Sequence, residues 1–360
     1  MKIGILLTHL GALLTGLSAP LAACTIFMAT QGDLTLVGNN EDWKETATRA
    51  WFLAPEEGKY GRVFFGFENG WAQGGMNEKG LCYDWVAGYK EDWSPDPEKK
   101  QLIGNVSEKI LEKAATVEEA LAFFGKYNVP PFAMAKIMLV DRQGVSAIVG
   151  FTKGRLKIDL SSGSHQVLGY GKGIVDAVLG ESPVLSIDSC LKTLEACIQD
   201  GTYATKYSNL YDLKNGDVHI CNFHAKKKPV RLNLKKELEK GNHTYEIPKL
   251  EEQIGKPPVI DEKTLVAVAV DTALLEEYAG RYRISEKETF TVTVDEGRLL
   301  GQVKSGERTG RKNVYLAASK TKFFLRWYNQ QITFIRNADG RVTEIVLQSV
   351  GEEGRGKRIE

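Results

Sequence analysis

Cys24 and the block Gly38-Asn39-Asn40-Glu41-Asp42-Trp43 are the residues whose types and spacing could do chemistry. Residues 1–23 read as an export leader. Lys2 gives a positive start, residues 3–17 an apolar run, and Ser18-Ala19-Pro20-Leu21-Ala22-Ala23 a small-residue exit. Cleavage after Ala23 would leave Cys24 first, with a thiol and a free α-amine on one residue. An α-amine titrates at roughly 7.7–8.0, so near neutral pH a useful fraction can take the thiol's proton. Nucleophile and base then come from a single residue, and no histidine is required.

Strands must hold these groups. Residues 25–30 and 34–37, joined by Gln31-Gly32-Asp33, predict a hairpin that begins at the nucleophile. The second strand returns residues 38–42 to the side of Cys24, where the Asp42 carboxylate is expected to orient the protonated amine. A second hairpin turns at Asn77-Glu78-Lys79-Gly80. Its later strand, residues 82–87, is expected to present backbone N–H groups near the reacting carbon. Trp43, Trp51, Trp71, Trp85 and Trp93 read as strand packing, with a few aromatics lining an apolar acyl pocket.

Downstream, residues 105–127 carry a helical period in two pieces, the second opened by the capping box Thr116-Val117-Glu118-Glu119. Asp141-Arg142-Gln143-Gly144 turns another hairpin. Residues 186–200 form an amphipathic helix, and residues 205–211 and 217–223 are strands. Strands, helices and strands again predict a layered α+β sandwich. Pro257-Pro258 breaks regular structure, after which strands recur at residues 289–294, 314–317, 322–327, 331–335 and 342–347. That spacing predicts a small antiparallel barrel. The expected division is 1–23 leader, 24–250 catalytic domain, 251–271 linker and 272–360 β-domain.

The chain has 360 residues, 42% hydrophobic and 26% charged, with a net charge of +1. No overall field draws nucleic acid, and the basic run Lys226-Lys227-Lys228 reads as a solvated face. Apart from the leader no apolar stretch approaches ~18 residues, so no membrane span is expected. Of five cysteines, an odd number, at least one must be free; Cys190 and Cys197 are too far apart along one helix to pair.

Cys24-Thr25, the Gly38–Trp43 block, Gly75-Met76-Asn77-Glu78-Lys79-Gly80-Leu81 and Thr205-Lys206-Tyr207-Ser208 with Tyr211-Asp212 resemble, in that order, the linear-amide C–N hydrolases of the N-terminal-nucleophile superfamily. These include choloylglycine hydrolases, penicillin V acylases and isopenicillin-N acyltransferase-like enzymes. The resemblance covers roughly residues 24–250. It implies a four-layer αββα sandwich of antiparallel sheets, Cys24 as nucleophile with its amine as base, and Asp42 beside it. It also implies Val86 and Ala87 N–H groups in an oxyanion hole. Asn39 stands where many members have arginine, and Val167-Leu168-Gly169-Tyr170 where the family carries its oxyanion asparagine. A second arginine expected around residues 183–190 is missing. Asn39, Asn40 and Tyr170 are therefore the positions expected to set the local substrate contacts. The C-terminal words Tyr278-Ala279-Gly280-Arg281-Tyr282, Phe323-Phe324 and Lys357-Arg358-Ile359 are similar to an accessory domain appended to secreted β-lactamase-related hydrolases.

The reading is thus an exported, periplasmic or secreted, thiol amidase or acyltransferase acting on a small-molecule amide, with no cofactor or metal. Leu21-Ala22-Ala23-Cys24 also fits a lipobox, which would acylate both sulfur and nitrogen of Cys24. A non-catalytic binding protein of the same fold is a further alternative. Two others are a metal site at His219, Cys221 and His224, and a Cys–His pair using His165, His219 or His224.

Overall fold

The N-terminal hairpin seeds the structure. In the computed structural model, which describes residues 24–44, 46–67, 71–101, 105–181, 184–222, 228–256, 270–310, 312–325, 330–349 and 352–359, β1 (Thr25–Gln31) and β2 (Leu34–Asp42) pair antiparallel across the two-residue turn Gly32-Asp33. The expected leader, the heart of the expected linker (257–269), Lys226-Lys227, Trp327 and His224 lie outside the described residues.

Four strands follow, all but β5 rich in aromatics: β3 (Thr48–Leu53), β4 (Arg62–Phe67), β5 (Ala72–Asn77) and β6 (Cys82–Ala87). A short parallel pair, β7 (Lys100–Gln101) with β8 (Tyr127–Asn128), brackets α1 (Val106–Lys113) and α2 (Val117–Lys126). Asn105 and Thr116 cap the two helices by accepting N–H groups from Ser107 and Glu119. The expected capping box is half formed, because the Glu119 carboxylate takes the Ala115 N–H rather than that of Thr116.

β9 (Ala135–Val140), β10 (Ser146–Thr152), β11 (Arg155–Ser161) and β12 (His165–Gly169) lead to α3 (Lys172–Glu181) and α4 (Ile187–Ala196). Then come β13 (Thr205–Asp212), β14 (Asp217–Asn222), β15 (Val230–Asn233), α5 (Leu234–Leu238), β16 (His243–Glu246) and α6 (Leu250–Gln253).

These strands make two antiparallel sheets, β12-β1-β2-β13-β14-β15 and β11-β10-β9-β6-β5-β4-β3-β16. Period-2 alternation gives each sheet two apolar faces. Ile26, Met28 and Val37 meet Phe65, Met76, Val86 and Met138 between the sheets. Phe27, Leu36 and Leu210 pack outward against Val175, Cys190 and Leu194 of α3 and α4. Phe64, Tyr83, Trp85 and Ile137 pack outward against Ile110, Leu111, Val117 and Phe124 of α1 and α2. The result is helix on sheet, sheet on sheet, sheet on helix. All five cysteines are free thiols, and no described helix is long and apolar enough to cross a membrane.

The C-terminal region is separate in its pairing. After α7 (Thr272–Tyr278), β17 (Gly280–Arg283), β18 (Glu288–Asp295), β19 (Arg298–Ser305), β20 (Arg308–Thr309), β21 (Asn313–Ala317), β22 (Lys322–Phe324), β23 (Gln330–Arg336), β24 (Val342–Ser349) and β25 (Glu352–Arg358) follow. Eight of them run in the order β18-β17-β25-β24-β23-β22-β21-β19, and the β18–β19 pairing closes the ring. Closure leaves no free sheet edge except where β20 hangs on β19. Tyr278, Tyr282, Phe290, Phe323, Ile332 and Phe334 fill it, with Tyr278 stacked on Phe334 at 4.0 Å.

Candidate active site

The register of the first hairpin decides what faces Cys24. Thr25 lies opposite Asn40 and Ile26 opposite Asn39, so the next pair outward sets Cys24 against Glu41. Side chains alternate, which sends Cys24, Ile26 and Met28 into the layer between the sheets and Thr25 and Phe27 toward α3 and α4. On β2 the same alternation turns Asn39 and Glu41 inward and Asn40 and Asp42 outward. Cys24 Sγ lies 3.5 Å from Glu41 Oε1. The Asp42 N–H donates to the sulfur at 3.5 Å, and Sγ lies 3.8 Å from the Asp42 carbonyl.

The Asp42 carboxylate goes elsewhere. It accepts from Thr205 Oγ1 and Gln199 Nε2, both at 2.5 Å, on the helix side of the sheet. The sequence expectation that this carboxylate reaches the Cys24 thiol or amine is met only by the Asp42 backbone; the pleat is the physical reason. Asn40 is likewise outward, donating to the Leu194 carbonyl at 2.9 Å and accepting from Ser208 Oγ.

The inward polar groups form an under-satisfied cluster. Glu41 and Asp84 are 2% and 1% exposed, and Tyr207 is 1% exposed. Among the described residues Glu41 Oε2, Asp84 Oδ1, the Tyr207 hydroxyl, Asn209 Oδ1 and both amide atoms of Asn39 have no hydrogen-bond partner. Buried polar groups are almost always paired, so a concentration of orphans beside one thiol marks a place built to meet something else. Gly74, opposite Asp84 on β5, is part of the cradle: a Cβ there would fall 2.0 Å from Asp84 Oδ2.

Burial is the leading influence on every titrating group here. Burial, then the charges of Glu41 and Asp42, push the Cys24 thiol up. Burial and then Asp42 raise Glu41; burial and then Glu41 raise Asp84. Burial lifts Asp42 to about 7 against the lowering pull of Thr205, Gln199 and Lys206. With Cys24 Nα in peptide linkage, the thiol is therefore held protonated and poorly nucleophilic.

Of the other expected residues, Val86 is buried in the same core cluster as Cys24, whereas Ala87 is exposed at the end of β6. Tyr170 is 45% exposed, and its contribution to the site is its N–H, which donates to the Cys24 carbonyl at 3.2 Å. Glu41, Asp84, Thr205 and Tyr207 were not singled out as site residues from the sequence. For Glu41 the signal exists, since a two-residue turn fixes which residue opposes Cys24. Asp84 arrives from the other sheet and has no local signal. His219 and Cys221 share β14, and no group of three metal-binding side chains occurs among the described residues.

Residues 265–358 match a family described as a domain of unknown function (DUF3471). No curated protein matches. Among solved structures, the chain is similar to penicillin V acylase from Agrobacterium tumefaciens, with 17% identity over 62% of this chain and 90% of that one at a TM-score of 0.48. It is also similar to two variants of conjugated bile acid hydrolase from Clostridium perfringens, each with 15% identity over 62% of this chain and 96% of the other at a TM-score of 0.47.

Proposed function

We propose that this chain is an exported N-terminal-nucleophile hydrolase that cleaves a linear amide through Cys24 once residues 1–23 are removed. The observation that carries the reading is the buried Cys24 thiol immediately before the first paired residue of β1, beside a Glu41 carboxyl and among polar atoms unpaired among the described residues. In the catalytic cycle the free α-amine takes the thiol proton, and sulfur adds to the amide carbonyl. The C–N bond then breaks as the α-ammonium gives its proton to the leaving amine, which leaves a thioester. Water adds next, the thioester opens, and the acid departs with the thiol restored. The Asp42 N–H is a donor already aimed at the sulfur, while its carboxylate anchors the end of β2. Val86 and Ala87 N–H groups are our candidates for stabilising the oxyanion, while the Tyr170 N–H holds the Cys24 carbonyl. Residues 24–250 carry the chemistry in this reading, 251–271 link, and 272–360 are accessory.

A lipid anchor on the same sulfur fits less well. Cys24 is 6% exposed and packed in the inter-sheet core, so a diacylglyceryl group would have to displace that packing.

The test is a chain beginning at Cys24, incubated with a panel of acyl amides and examined by intact mass. Wild type should accumulate an acyl adduct on the N-terminal peptide and release amine. Cys24→Ser should lower turnover by at least about 10³-fold with an unchanged circular dichroism spectrum. Undiminished amidase activity in that variant would sink the assignment, as would a lipid-modified N-terminal peptide in exported protein.

A further inference from the structure

Two of the three buried acids around Cys24, Glu41 and Asp84, have no positive group among the influences on them within the described residues. Asp42 has Thr205 and Gln199 as donors and Lys206 as the charge opposing it. Among the described residues Glu41 has only the thiol, at 3.5 Å, and its second oxygen is orphaned. Asp84 is orphaned at Oδ1. The influences on Glu41 and Asp84 are burial, neighbouring carboxylates, the thiol and the Trp85 N–H, with no cation among them. Carboxyl groups so deeply buried are kept in proteins when they meet a cation or a donor.

We propose that Glu41 receives the Cys24 α-ammonium after residues 1–23 are cleaved, a positioning role that rests on the N-terminal-nucleophile reading above. The α-nitrogen is three bonds from Sγ and so within about 4 Å of it, and Sγ is already against the Glu41 carboxyl. Extending the ladder one step beyond the Thr25–Asn40 pair sets residue 41, and not residue 42, on the face of residue 24. In the uncleaved chain the same nitrogen belongs to a neutral amide. Cleavage then does two things at one atom: it frees the base and it delivers the charge that Glu41 lacks. The uncleaved chain is latent on both counts.

The role is tested in the chain beginning at Cys24, through the ionisation of its α-amine. The groups facing Glu41 are Cys24 just before β1, Asp42 on β2, Asp84 on β6 and Tyr207 on β13, all retained in each variant. The α-amine is labelled with 13C-methyl groups and titrated by NMR in wild type, Glu41→Gln and Glu41→Asp. Removing the carboxylate should lower the α-ammonium pKa by about one unit or more. The acid limb of kcat/KM should move the same way, with kcat lower by roughly 10²-fold and KM little changed. Glu41→Asp should recover part of both. An α-amine that titrates alike in wild type and Glu41→Gln overturns the inference even where amidase activity stands. A shifted titration without cleavage of any amide would instead leave the pairing intact and remove the hydrolase reading. Should Glu41→Gln fail to fold, the same comparison is made with Glu41→Asp, whose shorter reach should also lower the α-ammonium pKa; an unmoved value overturns the inference.

Discussion

Gly169 shows how little room the residues around Cys24 leave. Its φ is +106°, in the left-handed region, and a Cβ would lie 1.9 Å from the Cys24 carbonyl oxygen. A side chain there meets backbone strain and a backbone clash together, so the β1–β12 pairing at Thr25 and Gly169 must give way. We expect Gly169→Ala to cost at least about 1–3 kcal/mol in urea denaturation and to abolish turnover. Gly173 in α3 has open space around its Cβ position, so Gly173→Ala should be neutral or stabilise by roughly 0.5–1 kcal/mol. Equal effects from the two would refute the steric argument. Cys24 stood out as the candidate nucleophile from its neighbours in sequence, because the chemistry proposed for it depends on chain position. Glu41 was legible in principle by counting back from the Gly32-Asp33 turn, yet the carboxylate with the family resemblance, Asp42, drew the assignment. Asp84, Gln199 and Tyr207 were not legible, since each reaches the cluster or the end of β2 through long-range packing.

Among elements, hairpins were the most readable. Gln31-Gly32-Asp33, Asn77–Gly80 and Asp141–Gly144 each join neighbouring strands, as their turn residues imply. The amphipathic helix after Ser186 was readable too, from its period, although it ends at Ala196 rather than at residue 200. α3 was not read as a helix, because Gly173 and Gly180 weaken the helical propensity of its apolar residues. Sheet order was also out of reach: β3 pairs with β16, nearly two hundred residues later, and no local pattern encodes that. The junction that closes this edge depends on Glu237 of α5. It accepts from His243 Nε2 at 3.0 Å, Lys240 Nζ at 2.7 Å and the Tyr245 hydroxyl at 2.9 Å. Burial alone would raise this carboxyl, but those bonds outweigh it and hold it at about 2. A depressed acid stabilises the fold above its unfolded value near 4.3, and the contribution is lost as pH falls through about 2. Glu237→Gln should therefore lower Tm by a few °C at pH 7, with the difference shrinking steadily from pH 5 to pH 2. A deficit independent of pH would mean that packing, not ionisation, is what the carboxylate supplies.

For the whole molecule, the question is whether the barrel and the sandwich unfold together. Each has its own apolar core, and no sheet is shared between them. Among the described residues one side-chain ion pair joins them, Lys109 to Glu296 at 3.1 Å, with its carboxylate about half exposed. Such pairs contribute at most about 1 kcal/mol, too little to couple two domains. Regions with independent cores and weak contacts are expected to melt as separate cooperative units. Calorimetry on the chain beginning at Cys24 should then show two transitions. Phe334→Ala would identify one of them, because Phe334 is 2% exposed, stacked on Tyr278 and edge-on to Phe323 in the barrel. Removing that ring should cost about 3–5 kcal/mol and lower one transition by more than 10 °C, given the size of the barrel. The other transition and the acylation of Cys24 should stay where they are. If both transitions moved together, the barrel would be part of the cooperative unit that holds the active cysteine, and its accessory role would have to be abandoned.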